Sequence, residues 1–243
     1  MKIKAIMPDK AMEQATLRER EKMLSSALSP DASICVDCIK AGPDELDCCT
    51  DEAFAAREIV KESIEAEREG YDAIVIYCFS DVGAEAAREN VFIPVIAPGE
   101  LTLSIAGTLC NRFSVITTDS KNIPRTYRRL MKHCVAREKM ASVRALDIPI
   151  GELRANPSVT LEYLERTCKK AVETDGADGI VLGCLGMAEY GKTIEEKLGV
   201  TVFDPAFIAV AFAEMSTRLG LAHGERTYPK EVEIGRASCR ERV

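Results

Sequence analysis

Tryptophan is missing from the 243 residues, and histidine occurs only at His133 and His223. Neither histidine falls in a nucleophile–base pattern, so a His-based triad is not expected. No G-x-G-x-x-G turn, P-loop or H-E-x-x-H pair is present. With no motif to cradle a phosphate, chemistry without a cofactor is the simpler reading. Positive charge is in short supply: 32 Lys and Arg stand against 39 Asp and Glu, a net charge of −7. That balance excludes the broad basic face a nucleic acid or an anionic membrane would need. No apolar run approaches the roughly 20 residues that span a bilayer. The start MKIKAIMPDK also lacks the long apolar stretch of a signal peptide. These absences predict a soluble, cytoplasmic protein acting on a small molecule, and a homo-oligomer is expected.

Cysteine, by contrast, is abundant at ten residues. A chain this long with a full apolar complement does not need disulfide staples, and reduced thiols are expected. Cys35-x-x-Cys38 followed by Cys48-Cys49 invites a zinc reading, but adjacent cysteines seldom supply two ligands to one ion. Cys35 and Cys38 also lie within SICVDCIK, which has the pattern of a strand. No metal is therefore expected, and these residues, with Cys110, Cys134 and Cys168, read as small side chains of the interior or its margin.

Two cysteines stand apart because they recur in a duplicated pattern. GYDAIVIYCFSDVGAEAAREN-VFIPVIAP begins at Gly70, and GADGIVLGCLGMAEYGKTIEEKLGVTVFDP begins at Gly176. One offset along the chain relates Gly70 to Gly176, Asp72 to Asp178, Ile74 to Ile180, Val75 to Val181 and Cys78 to Cys184. Each copy runs from an apolar strand through a cysteine and a turn into a helical stretch, then a second apolar strand ending in proline. This is βαβ grammar with a thiol at the carboxyl end of its first strand.

The rest of the chain supports the duplication. Strands are expected at KIKAIMP, SICVDCIK, AIVIYC and FIPVIAP, and again at RFSVITT, SVRALDIPI, GIVLGC and VTVFDP. Helices are expected over about Lys10–Leu28, Asp51–Glu69, Leu101–Leu109, Asn122–Cys134, Leu161–Thr174 and Ala206–Leu219. In the helix after Asp51, Phe54, Ile59, Val60 and Ile64 are read as the apolar stripe. Alternating strands and helices predict an α/β fold of two similar lobes, each a parallel sheet flanked by helices, related by a pseudo-twofold with the active site in the cleft between them. The first lobe covers 1–98, with a C-terminal helix over 206–222 packing back on it, and the second covers 99–204. Residues 235–243, GRASCRERV, read as a vector-derived tail and are set aside with Cys239.

Ligands of such sheets bind beyond the carboxyl ends of the strands. The candidate loops are therefore Met7–Lys10, Cys78–Gly83, Thr117–Ser120 and Cys184–Met187. Cys78 and Cys184 are each expected at a helix N-terminus, where backbone N–H groups and the macrodipole favour a thiolate. Two opposed thiols are the acid and base that inversion of a carbon centre requires; the alternative is two small buried residues of a duplicated fold. Asp81 either opposes the thiolate of Cys78 or caps the following helix, as Ser80 can. Thr117 and Thr118 either hold a carbonyl or carboxylate oxygen or cap a turn with Asp119 and Ser120.

VLGCLGMAE flanked by DGI and GVTVFDP, together with FSVITT, SVRALDIPIGEL, GPDELDCCTDEA and CFSDVGAEAARE, resembles the aspartate/glutamate/hydantoin racemase superfamily. The likeness is closest to its hydantoin/allantoin racemase branch and covers roughly residues 1–225. The resemblance implies two facing lobes, no cofactor, and Cys78 and Cys184 acting as acid and base on opposite faces of a stereocentre next to a carbonyl. It further implies that substrate oxygens are held by the Phe79–Ser80, Thr117–Thr118 and Leu185–Gly186 loops. A hydantoin, allantoin or related ureide is the implied substrate. An amino-acid racemase for aspartate or glutamate, a small-dicarboxylate isomerase, and a non-catalytic binder on the same fold are the alternatives. One departure bears on substrate. Where the branch carries an Asn-Pro-Asn-Thr-like turn, this chain has Met7-Pro8-Asp9-Lys10, so Lys10 either pairs with a substrate carboxylate or is solvated.

Overall fold

The computed structural model describes residues 1–132, 134–148 and 152–230. The expected tail at 235–243 with Cys239, the position of His133, and the end of the SVRALDIPI segment lie outside the described residues. The chain forms two compact units. One contains Met1–Ala97 and the chain from Ala209, the other Pro98–Ile208. Among the described residues no helix is long and apolar enough to cross a membrane.

The first unit runs β1 (Lys2–Met7), α1 (Gln14–Ser25), β2 (Ser33–Cys38), α2 (Cys49–Arg68), β3 (Ala73–Ile76), α3 (Ala84–Asn90) and β4 (Val95–Ile96). Its sheet is parallel throughout, in the order β2-β1-β3-β4. Every residue of β3 is buried, as a central parallel strand covered on both faces requires. The second unit runs α4 (Pro98–Leu109), β5 (Phe113–Thr117), α5 (Ile123–Leu130), α6 (Cys134–Lys139), β6 (Met140–Ala145), α7 (Glu152–Ala155), α8 (Pro157–Glu173), β7 (Gly179–Leu182), α9 (Tyr190–Leu198) and β8 (Thr201–Phe203). α10 (Pro205–Arg218) follows and crosses into the first unit. The second sheet is also parallel, in the equivalent order β6-β5-β7-β8.

The repeated residues do the same work in each half. Gly70 ends the α2 region at φ 79°, and Gly176 ends the α8 region at φ 72°, a conformation that glycine adopts without penalty. Asp72 then accepts from the Lys2 N–H at 2.7 Å while its own N–H donates to the Lys2 carbonyl at 2.8 Å. Asp178 accepts from the Asn111 and Arg112 N–H groups at 3.0 and 2.9 Å, and its N–H donates to the Arg112 carbonyl at 2.8 Å. Each aspartate thus ties the entry of a central strand to the strand beside it.

The expected elements form, with four corrections. α2 buries Ala55, Ile59, Ser63 and Ala66, whereas Phe54 is 65% exposed. The buried face of the helix is thus centred on Ala55, Ile59, Ser63 and Ala66, and Phe54 is turned outward. The helix expected over Asn122–Cys134 is a short 3-10 turn (Ser120–Asn122), then α5, then α6. The 3-10 turn starts because Asp119 accepts from the Lys121 N–H at 2.8 Å. α1 begins at Gln14 rather than Lys10. Finally, β3 and β7 end at Ile76 and Leu182, two residues before each repeated cysteine.

At the C-terminal end, α10 is fastened within the first unit. Glu214 accepts from the Ser29 N–H at 3.1 Å, and Arg218 pairs with both Asp31 and Glu214. Beyond it, His223 reaches the backbone of Val95 on the outer edge of β4, and Tyr228 meets the buried Arg88.

Candidate functional site

Cys78 follows β3 on a tight turn. The Tyr77 N–H still donates to the Ile6 carbonyl at 2.9 Å, the Cys78 N–H turns back to Ile76 at 2.7 Å, and the Asp81 N–H donates to the Cys78 carbonyl at 3.1 Å. Asp81 is held at φ 56° and Gly83 at φ 71°. A side chain at Gly83 would come within 3.0 Å of the Ala56 carbonyl oxygen. The turn therefore presses against α2, which holds its shape. Its consequence for the thiol is direct: the Ser80 N–H points at Cys78 Sγ at 3.4 Å.

Cys184 has a matching environment. The Gly183 N–H donates to the Ile116 carbonyl at 2.7 Å, as Tyr77 does to Ile6. The Gly186 N–H then points at Cys184 Sγ, again at 3.4 Å. Here the sulfur caps a 3-10 turn, Leu185–Met187, and the Met187 N–H closes on the Cys184 carbonyl at 3.0 Å. Both cysteines are half-buried.

This corrects the expectation of two helix N-termini. α3 begins at Ala84 and α9 at Tyr190, each six residues past its cysteine, so neither thiol sits on an α-helix end, although Cys184 caps the short 3-10 turn. A backbone N–H, two residues on, faces each sulfur where an α-helix terminus was expected. Capping of α3 by Asp81 or Ser80 is likewise not seen; its N-cap is Gly83, without a side-chain bond.

The other predicted residues lie around these turns. Phe79 is buried and Ser80 half-buried beside Cys78 in the first unit. In the second unit, Thr117 and Thr118 close β5 while Leu185 and Gly186 follow β7, its sheet neighbour. Thr117 and Thr118 are buried, and their carbonyls accept from the N–H groups of Leu146 and Ile148 at 2.9 and 3.2 Å. The Thr118 hydroxyl accepts from Asn122 Nδ2 at 3.3 Å. Met7 is buried at the end of β1. Lys10 is exposed and sits 3.6 Å from Asp44, so its charge is directed at the surface.

Other thiols differ in kind. Burial pushes Cys168 up to about 12 and, with help from the Asp9 charge, Cys38 up to about 11. Burial also raises Cys35 and Cys110. Among the described residues, no three His, Cys, Asp or Glu side chains are grouped to hold a metal ion.

One polar residue at this end of the first sheet was not anticipated. Arg20 lies on the buried face of α1 with Leu17, Met23 and Leu24. Its spacing from Leu17 and Leu24, three and four positions, places a charge on the apolar stripe, and that was the available signal.

The chain matches the Asp/Glu/Hydantoin racemase family over residues 14–213. It is 34% identical to a hydantoin racemase of Pseudomonas sp. (strain NS671) over 220 residues, covering 90% of this chain and 87% of the relative. The structure resembles an allantoin racemase from Klebsiella pneumoniae with a TM-score of 0.86 at 28% identity, covering 97% of this chain and 96% of the other. An allantoin racemase from Pseudomonas fluorescens gives the same TM-score and identity, over 96% of this chain and 99% of its own.

Proposed function

The chain belongs to the Asp/Glu/hydantoin racemase family, and from that premise we propose that it racemises a hydantoin, allantoin or related ureide without a cofactor, using Cys78 and Cys184 as acid and base. The observation that carries this reading is the matched surroundings of the two thiols. Each follows the equivalent central strand of its unit, and the N–H of the residue two positions on points at each Sγ at 3.4 Å. An N–H directed at sulfur is complementary to a thiolate, the form that can take a proton from carbon.

The reaction then moves one proton in and one out. One thiolate removes the proton from the stereocentre beside the substrate carbonyl, and the C–H electron pair passes into an enolate-like system. The opposite thiol delivers its proton to the other face of that carbon. The enzyme ends with the two protonation states exchanged, ready for the reverse direction. On this reading Phe79, Ser80, Thr117, Thr118, Leu185 and Gly186 are assigned to substrate binding. Backbone N–H groups and threonine hydroxyls there suit the oxygen on which negative charge develops.

The test is polarimetry on enantiopure 5-substituted hydantoins, allantoin and free amino acids. Loss of optical rotation with a ureide, and none with the amino acids, is the expected result. Turnover confined to aspartate or glutamate would overturn the substrate assignment. Thermal stabilisation by a ureide with no turnover of any compound would overturn the enzymatic reading.

A further inference from the structure

Arg20 is 6% exposed, and its donors are poorly served. Nε donates to the Met12 thioether at 3.2 Å, and sulfur there is a weak acceptor. The guanidinium carbon lies 5.4 Å from the centre of the Tyr77 ring. Among the described residues Nη1 is fully buried and has no hydrogen-bond partner. Asp9 is near enough for the Arg20 charge to oppose the rise that burial imposes on its carboxyl, but the side-chain hydrogen bond at Asp9 comes from the Cys38 thiol at 3.7 Å. A buried guanidinium is therefore left without an oxygen acceptor, although buried donors are nearly always paired and buried charges need compensation.

The position of this group indicates what it faces. Helical side chains lean toward the N-terminus of their helix, so Arg20 reaches back to Met12 in the loop that follows β1. Tyr77, the other neighbour, directly precedes Cys78. Both contacts lie at the carboxyl ends of strands, where sheets of this class take their ligands. Met12, the neighbour at Nε, is a half-buried and flexible side chain that can give way. Lys10 does not compete for the role, since its ammonium is turned to Asp44.

We propose that Arg20 is a specificity-determining residue that receives a carboxylate carried on the C5 substituent of the ureide, with Nη1 as the waiting donor. This rests on the racemase reading above and narrows its substrate to acidic side chains. A carboxylate fits better than a neutral carbonyl because it gives Nη1 a charged acceptor and matches the planar guanidinium in geometry.

The experiment compares two probes, enantiopure 5-carboxymethylhydantoin and 5-isobutylhydantoin, on wild type, Arg20→Met and Arg20→Lys. Calorimetry reads binding and polarimetry reads turnover. Wild type is expected to bind the acidic probe more tightly. Arg20→Met should lower the ratio of kcat/KM for acidic over isobutyl substrate by about 100-fold, and Arg20→Lys should restore part of it. Equal wild-type affinity for the two probes overturns the proposal, as does an unchanged ratio in Arg20→Met. If Arg20→Met does not fold, the wild-type comparison decides alone. An Arg20-dependent preference for the acidic probe without turnover of either supports the arginine contact and overturns the racemase reading instead.

Discussion

Gly183→Ala tests whether the placement of Cys184 depends on the close approach of two strands. Gly183 bonds the Ile116 carbonyl at 2.7 Å, and a Cβ at this position would stand 2.8 Å from that oxygen and 3.0 Å from Val115 Cγ1. Non-bonded heavy atoms settle at about 3.5 Å or more, so roughly 0.7 Å has to be absorbed. The obstructing oxygen is backbone of the buried strand β5 and cannot turn aside. The end of β7 must lift, and Cys184 moves with it. Tyr77 shows the contrast: it carries a side chain at the equivalent position, and its N–H lies 2.9 Å from Ile6. Overpacking of this kind costs about 1–3 kcal/mol, which for a chain of this size lowers Tm by about 5 °C. A thiol displaced by about half an ångström should lose about 10-fold in kcat, given that about 1 Å can cost 100-fold. Gly191→Ala is the control. Its Cβ would meet nothing closer than 3.4 Å, and within α9 alanine should be neutral or stabilising by up to about 1 kcal/mol. Thermal melts and polarimetric rates on both variants make the comparison. A Gly183→Ala protein with wild-type Tm and kcat would refute the argument from packing.

Other outcomes follow from the same geometry. In heavy water, Cys78→Ser and Cys184→Ser should each lose at least about 1000-fold in racemisation. Each should still exchange the C5 proton of one enantiomer, and the two mutants should choose opposite ones; exchange of the same enantiomer by both would place the thiols on one face. Iodoacetamide near neutral pH should label Cys78 and Cys184 before Cys168 and Cys38, and substrate should protect the first pair, as mass mapping will show. Arg144 grips Asp175 through Nε and Nη2 at 2.6 and 2.8 Å, and with Ser142 it holds that carboxyl below its usual range. Because the folded-state value is depressed, the stabilisation is complete above the unfolded carboxylate value near ~3.9 and is lost as pH falls through the folded value. Asp175→Asn should thus be less stable by about 1 kcal/mol at neutral pH and converge with wild type in strong acid, by denaturant titration. A constant difference across that range would refute the linkage.

Much of the fold was legible in advance because each half has a local grammar. AIVI and GIVL are short continuous apolar runs, and in parallel sheets such runs are central strands. The common offset of Gly70, Asp72 and Cys78 with Gly176, Asp178 and Cys184 announced two copies of one βαβ arrangement. Less legible was which residues face inward on a helix. Phe54 fits an apolar stripe by period, yet Ala55 and Ile59 hold the sheet-facing side. The rotation of the helix against the neighbouring sheet decided that, and no single-helix pattern contains it.

The site divides in the same way. The sequence by itself determined that two thiols occupy equivalent places after equivalent strands, since duplication and strand period are properties of the chain. Tertiary structure decided what surrounds them. The strands stop two residues short of each cysteine, so each sulfur meets the N–H of Ser80 or Gly186 instead of an α-helix end. Arg20 reads locally as one charge among many on a polar helix; it is buried because α1 folds down beside Tyr77, brought there from much later in the chain. Hydrogen-bond geometry and desolvation depend on atoms that only folding assembles, whereas the order of strands, turns and thiols is written along the backbone.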